Sequence, residues 1–280
     1  MKKKVLITGY KGYIGQHLCK LIRNTRPDIE LFGIDKTAKF VCYGDINSDN
    51  NHLFDSQSPY DTVIHLAALV RVGESVDNPI DYYETNVNGT LRMLRVMDCH
   101  KTNFIFASTG AAENPVSPYA LSKRMAETLV KQKVKFYNNT SNYTIFRFYN
   151  VIGTEGFPPT NPEGLMLNLL NAKETGKFTI FGNDYNTKDG TCVREYVHVN
   201  DICRSIIKAI DNPSNTIENL AYGDTRTVKE IVETFCDVNG KDKPEIKYLP
   251  RRAGDLEACY LEKPSKYMVQ NYSYEEMLKL

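Results

Sequence analysis

The sequence predicts an α/β protein with a doubly wound parallel sheet through about residue 150, followed by a smaller C-terminal substrate-binding region. Three observations carry this expectation. The chain opens on a short β-branched run, a glycine-rich turn and a helical pattern. Strand and helix patterns then alternate up to Asn150, the rhythm of parallel strands joined by crossover helices. Beyond Asn150, Pro158, Pro159, Pro162 and many glycines break that rhythm into shorter elements. The expected division is therefore residues 1–150 and 151–280, with residues near 193–212 returning to pack on the first part. A compact chain of 280 residues buries about three quarters of its unfolded surface, enough for two parts that share a cleft.

Residues 4–8 form the first strand and run directly into Gly9-Tyr10-Lys11-Gly12-Tyr13-Ile14-Gly15, then a helix marked by Ile14, Leu18, Leu21 and Ile22. A glycine turn between strand and helix lets backbone approach a pyrophosphate, and the helix N-terminus supplies N–H groups and positive dipole. The next strand ends at Asp35, 20 residues past Gly15. A carboxylate there accepts from a ribose 2′-hydroxyl and repels a 2′-phosphate, so the dinucleotide expected is NAD rather than NADP. Lys36 and Lys39 soften that preference. Only ten residues separate Asp35 from Asp45, so a turn is expected in place of a crossover helix, with Asp45 and Ile46 placed for the adenine edge. The third strand is read over residues 61–69, with small Ala67 and Ala68 where a cofactor presses close. His65 inside it is expected to be a core histidine with its nitrogens satisfied. A long helix is read from Pro79, carrying Val87, Leu91 and Leu94 on one stripe.

Residues 103–109, NFIFAST, read as a buried strand that delivers Ser108 and Thr109 at its end. Pro118 then suits the first turn of a helix on which Tyr119 and Lys123 stack four residues apart. An ammonium beside a phenol favours the phenolate, which makes an otherwise silent Tyr a usable base. The pair could equally be an accident of helix composition. Of the eighteen Tyr, however, Tyr119 alone has a Lys at that offset, and it follows a strand ending in hydroxyls. A strand follows at residues 143–151. Further on come a turn-rich stretch at 182–190, a short strand at 195–199, a helix from Asp201 and a short terminal helix.

Composition narrows the partners. Lys plus Arg total 35 against 34 for Asp plus Glu, a net charge of +1 that provides no general field for nucleic acid or an anionic membrane. No apolar run reaches the length of a membrane span, and glycines follow Met1-Lys2-Lys3-Lys4 where a signal peptide would be apolar. A cytoplasmic protein is expected. The seven Cys are scattered without a C-x-x-C pair, so reduced thiols are expected, with neither a disulfide framework nor a metal site.

Six segments together identify a resemblance: GYKGYIG (9–15), VIHLAALVRVGESVDNPIDYYETNVNGT (63–90), SPYALSK (117–123), RFYNVIG (147–153), TIFGNDYNTKDGTCVREYVHVND (179–201) and RRAGD (251–255). The chain resembles the extended short-chain dehydrogenase/reductase superfamily and, within it, the UDP-hexose 4-epimerase (UDP-glucose 4-epimerase) family, nearly end to end. The resemblance implies a Rossmann-like fold and a tightly held NAD that is recycled. Tyr119, as phenolate, would take the proton of the sugar 4-hydroxyl while hydride leaves C4 for the nicotinamide. The 4-keto sugar would then turn over and receive hydride on its opposite face. Thr109, rather than Ser108, would take the hydroxyl position, and Lys123 would lower the Tyr pKa and hold the nicotinamide ribose.

The same resemblance places Gly9, Gly12, Tyr13, Ile14, Gly15, Asp35, Lys36, Asp45 and Ile46 along the cofactor. Leu66, Ala67, Ala68, Asn86 and Phe148 complete that set with Tyr119 and Lys123. For the substrate it implies Thr109, Asn150 and Leu165, Arg194 and Arg252 on the diphosphate, Asp255 on the uridine ribose, and Cys259 at the sugar 2-substituent. A small residue at Cys259 leaves room for an N-acetyl group. A homodimer formed by helices near residues 86–98 and 119–136 is the family expectation.

There are departures. The segment from Thr109 to Tyr119 and the Asp35–Asp45 crossover are both shorter than in most members. Glu163-Gly164-Leu165 replaces an Asn-Asn-Leu stretch, and Phe148 stands where a Tyr often lies. A 4,6-dehydratase needs an acid/base pair beside the hydroxyl residue, whereas Gly110 and Ala111 follow Thr109 and cannot move protons. A protein that binds NAD or a nucleotide sugar without turnover needs no activated Tyr.

Overall fold

A computed structural model of the chain describes residues 2–36, 60–98, 101–136, 141–252, 257–259 and 264–280. Asp45, Ile46 and Asp255 lie outside the described residues, as does the side chain of Cys259.

Six strands form the main sheet: β1 (Lys3–Thr8), β2 (Ile29–Ile34), β3 (Thr62–His65), β4 (Asn103–Thr109), β5 (Asn142–Phe148) and, much later, β9 (Ile217–Leu220). They pair in the order β2-β1-β3-β4-β5-β9, every pair parallel. This is the doubly wound α/β sheet that the alternating pattern predicted. Alternate residues feed opposite layers, as the strand period of two requires. Val5, Ile7, Ile105 and Phe146 face α1 (Tyr13–Thr25) and α7 (Val199–Asp211), meeting Leu18, Ile22, Ile202 and Ile206. Leu6, Val63, Phe104, Phe106 and Ile145 face the other way, onto Met93, Leu94, Ala126 and Val130.

Between β3 and β4 run α2 (Val72–Asp77), α3 (Pro79–Tyr82) and α4 (Gly89–Leu94); α5 (Pro118–Phe136) precedes β5. The single long helix read from Pro79 is interrupted: a π-helical stretch, Tyr83–Asn88, separates α3 from α4, and a 3₁₀ turn, Arg95–Asp98, closes it. Turns of this kind are frequent at functional sites. The stretch carries Asn86, 1 % exposed. Its Nδ2 donates to the Leu69 carbonyl (3.0 Å) and to Ser122 Oγ (2.9 Å), while its Oδ1 accepts from Leu69 N (2.9 Å).

The strand read over 61–69 stops at His65. Thr8 Oγ1 accepts the Ala67 N–H at 3.1 Å, and the chain leaves the sheet there. The strand read over 143–151 is likewise two strands. β5 ends at Phe148, and β6 (Asn150–Ile152) pairs with β8 (Val193–His198) in a second sheet with β10 (Thr225–Thr227) and β12 (Ala258–Cys259). β7 (Lys177–Phe181) pairs with β11 (Glu245–Leu249). These elements pack with α6 (Leu165–Thr175), α8 (Val228–Val238) and α9 (Tyr274–Leu278) in a separate core around Met166, Leu169, Phe178, Tyr196, Phe235 and Met277. The segment that joins the first core extends past α7 to β9, further than residue 212.

Candidate active site

Where β1 ends, Gly9 takes φ +72° and its N–H donates to the Ile34 carbonyl at 2.8 Å. A Cβ on Gly15 would stand 2.3 Å from the Gly9 carbonyl oxygen and 2.6 Å from Tyr10 Cα, so only hydrogen fits there. Gly12 occupies the N-cap of α1, and no side chain caps that end. The first-turn N–H groups of α1 therefore keep their capacity for an anion. Asp35 follows β2 and accepts the Lys11 N–H through Oδ2 at 3.0 Å. Lys36 is exposed beside it. Opposite the glycine turn, a Cβ on Gly9 would meet Ala67 N at 2.8 Å, so the small residues after β3 lie directly against it. This bare turn, the carboxylate one strand over and the small side chains fit a dinucleotide of the NAD type.

Across the cleft, β4 ends at Thr109 and α5 begins at Pro118. Thr109 caps a 3₁₀ turn, Gly110–Ala112, by accepting the Ala111 N–H at 3.3 Å. Thr109 and Tyr119 line the cleft together. Tyr119 packs edge-on against Tyr82, with ring centroids 6.3 Å apart. Lys123 is 3 % exposed, with Nζ over the Phe106 ring at 4.4 Å. The spacing anticipates a phenol drawn down by its ammonium, but in the fold burial dominates both groups. Burial pushes Tyr119 up to about 12, with the Thr109 hydrogen bond acting against it. Burial pulls Lys123 down to about 7, opposed by the Glu127 carboxylate.

The cleft between these walls measures about 570 Å³. Gly9, Gly12, Tyr13, Ile14, Gly15, Leu66 and Ala68 line one side; Thr109, Tyr119, Lys123 and Phe148 line the other. Asn150, Leu165, Arg194 and Arg252 line its continuation toward the second core. Asn150 Nδ2 donates to the Glu195 carbonyl at 3.1 Å, and Arg252 stacks on the Phe181 ring at 3.8 Å. Cys259 pairs with Arg194 across β12 and β8, which sets its backbone beside this arm. Among the sequence candidates, Ala67 and Asn86 sit behind the lining; Asn86 braces the Leu69 loop onto α5.

Several lining residues have no place in the sequence reading. Tyr149 lines the cleft, and its ring covers Gly110, where a Cβ would stand 2.7 Å from it. Glu163, in the stretch that departs from the family pattern, lines the arm as well. Tyr13, already a cofactor candidate, packs against the first core, and its hydroxyl donates to the Gly153 carbonyl, tying the glycine turn to the end of β6.

His65 lies deep in the sheet, with Thr8 Oγ1 at 2.7 Å from Nδ1 and Thr90 Oγ1 at 3.2 Å from Nε2. Burial, then the nearby Lys123 charge, hold it down at about 3 from the usual 6.5. The unfolded chain therefore takes up a proton below about pH 6.5 that the folded chain refuses, and stability falls on acidification. Between pH 7 and 5 this is expected to cost about 2 kcal/mol. Urea midpoints at the two pH values check it, and the loss should be smaller in His65→Gln.

A parallel sheet of this order, with a glycine turn facing a Tyr–Lys pair across one cleft, defines an enzyme of the short-chain dehydrogenase/reductase class. The NAD dependent epimerase/dehydratase family matches residues 5–222, and the chain belongs to it. It is 33 % identical to the UDP-glucose 4-epimerase of Yersinia pestis, over 92 % of this chain and 89 % of that one. Its structure is similar to the crystal structure of UDP-glucose 4-epimerase from Bifidobacterium longum in complex with NAD⁺ and UDP. The TM-score is 0.86 at 26 % identity, covering 99 % of this chain and 96 % of that one. The UDP-N-acetylglucosamine 4-epimerase from Methanobrevibacter ruminantium, in complex with UDP-N-acetylmuramic acid, gives 0.84 at 25 % identity, covering 100 % and 97 %.

Proposed function

We propose that the chain inverts C4 of a UDP-hexose, with NAD as a recycled cofactor. The observation that carries this is the convergence of Thr109, Tyr119 and Lys123 on one cleft opposite the bare glycine turn, with Arg194 and Arg252 further along it. NAD, when bound, accepts and returns the C4 hydride and brings a positive charge beside the phenol. Tyr119 accepts the proton of the 4-hydroxyl at its phenolate oxygen and gives it back after the sugar has turned. Thr109 orients that phenol by hydrogen bond. Lys123, as ammonium, favours the phenolate and holds the cofactor ribose. Arg194 and Arg252 meet the diphosphate, where planar guanidinium suits phosphate oxygens. The turn after Thr109 carries Gly110 and Ala111, which supply no acid to expel a 6-hydroxyl.

The acetylated hexose is included in this proposal because the family resemblance assigns the 2-substituent position to Cys259, a small residue whose backbone pairs with Arg194. Two chains are proposed to pair through α3, α4 and α5, where Ile80, Leu91, Leu121 and Met125 are exposed. A cytoplasmic setting is supported by the buried free thiols of Cys19, Cys192, Cys203 and Cys236. Among the described residues no helix is long and apolar enough to cross a membrane.

Denaturing the purified protein should release one NAD per chain. The native protein should interconvert UDP-galactose with UDP-glucose, and UDP-N-acetylgalactosamine with UDP-N-acetylglucosamine. In the ultracentrifuge the same preparation should sediment as two chains. Bound NAD without inversion of either sugar would overturn the epimerase reading.

A further inference from the structure

We propose that Glu127 is the positioning residue of the Tyr119–Lys123 face, acting through a buried ion pair with Arg147. The proposal rests on the reading of that face given above. On α5, Tyr119, Lys123 and Glu127 follow at steps of four, so the carboxylate lies one turn beyond the ammonium on the same side. Glu127 is fully buried and Arg147, in the last half of β5, is 5 % exposed. Arg147 Nε donates to Glu127 Oε1 at 2.8 Å and Nη2 to Oε2 at 3.0 Å, a two-pronged match of planar groups. Ser108 Oγ, at the end of β4, donates to the same Oε1 at 2.6 Å. One carboxylate therefore fastens α5 to two strands, and the next residue on each, Thr109 and Phe148, lines the cleft.

Stability alone does not explain the pair. Apolar side chains of similar volume serve a core as well or better than a buried ion pair. Its position under the reactive face does explain it. Around Lys123 stand Tyr119 and Glu127 on its own helix, Phe106 of β4 beneath its Nζ, and His65 of β3, on which its charge acts. Beyond them, Glu113 stands 3.7 Å from Arg147, and the half-exposed Arg124 stands 3.5 Å from Glu127. His65 is held neutral by its burial. Among the described residues, the carboxylate whose charge acts on Lys123 is Glu127, and it favours the ammonium against burial. With the charge gone but the shape kept, Lys123 would lose the carboxylate that favours its ammonium, and the Arg147 cation would lose its partner.

The test uses the protein with its bound nucleotide, labelled with ¹³C at lysine Cε, with the Lys123 resonance assigned through Lys123→Met. In Glu127→Gln the Lys123 midpoint is expected to drop by about one pH unit or more. The double variant Glu127→Gln/Arg147→Met removes both charges and should titrate between the single variant and the parent. In turnover, kcat of Glu127→Gln should fall at least tenfold at pH 8.5 with KM nearly unchanged, and the deficit should narrow toward pH 6, where a much larger share of Lys123 is protonated in both proteins. A purely structural role would lower kcat by the same factor at every pH.

An unmoved Lys123 midpoint in folded Glu127→Gln overturns the proposal. Should that variant fail to fold, an unmoved midpoint in the double variant does so, because removing both partners leaves no uncompensated buried charge. A parent protein without epimerase activity would remove the turnover arm and refute the functional reading, while the lysine titration would still decide the role of Glu127.

Discussion

Tyr119→Phe is expected to lower kcat for C4 inversion by about 10³-fold or more, in keeping with the 10²–10⁴-fold that a positioned general base contributes. The change removes one oxygen and leaves the ring that packs on Tyr82. The fold should therefore persist, and the bound NAD with it, so the loss would appear in turnover and not in cofactor content. The chain's own environment pushes the phenol up to about 12, so without another positive charge only about one molecule in 10⁵ would hold the phenolate at pH 7. The Lys123 ammonium and the oxidised nicotinamide are the charges available to raise that fraction. The wild-type rate should accordingly climb with pH until Lys123 gives up its proton. A variant that retains more than a tenth of the parent kcat would rule Tyr119 out as the base.

Gly15→Ala should produce the largest loss of cofactor. The added methyl would stand 2.3 Å from the Gly9 carbonyl oxygen and within 2.8 Å of two Tyr10 backbone carbons. Backbone on every side leaves no flexible side chain to yield, so the turn itself must shift. Overpacking of this kind costs about 3 kcal/mol, which for a chain of this size lowers Tm by about 6–12 °C. The displaced turn would no longer present the α1 N–H groups to a pyrophosphate. The purified variant should then carry little NAD and give little inversion until excess NAD is added. Full nucleotide content at an unchanged Tm would show that the turn is not the cofactor cradle.

The sequence reads most clearly where function constrains backbone. Gly9 and Gly12 sit between a strand and a helix, Gly15 lies in the first turn of that helix, and Asp35 follows the next strand; these facts are local, and the fold preserves them. Tyr119 and Lys123 are likewise legible, since a four-residue step on a helix fixes their juxtaposition. Their electrostatics were not. Spacing cannot report how deeply β3, β4 and α5 enclose the pair, and that enclosure moves both groups toward their neutral forms. The π-helical stretch at Tyr83–Asn88 escaped because it depends on Asn86 reaching both the Leu69 loop and Ser122, contacts 17 and 36 residues away. Glu127 and Arg147 left a clue that was available. An Arg inside the apolar run of β5 and a Glu in line with Lys123 each require a partner once buried, and each is the other's. The part after Asn150 was the least legible, because its strands pair across long separations, as β7 does with β11 and β6 with β8.

The placement of β9 affects how the chain is made. The main sheet keeps an open edge along β5 until residues 217–220 arrive to pair with residues 145–148. At about 5–20 residues per second, the ribosome needs several seconds to supply that segment. During that interval Phe146 lacks α7, which later covers its face of the sheet. A nascent chain in this condition presents an apolar face and an unpaired strand to its surroundings. Its yield in a cell should depend on what shields β5 until the sixth helical or strand segment beyond it has been threaded into place.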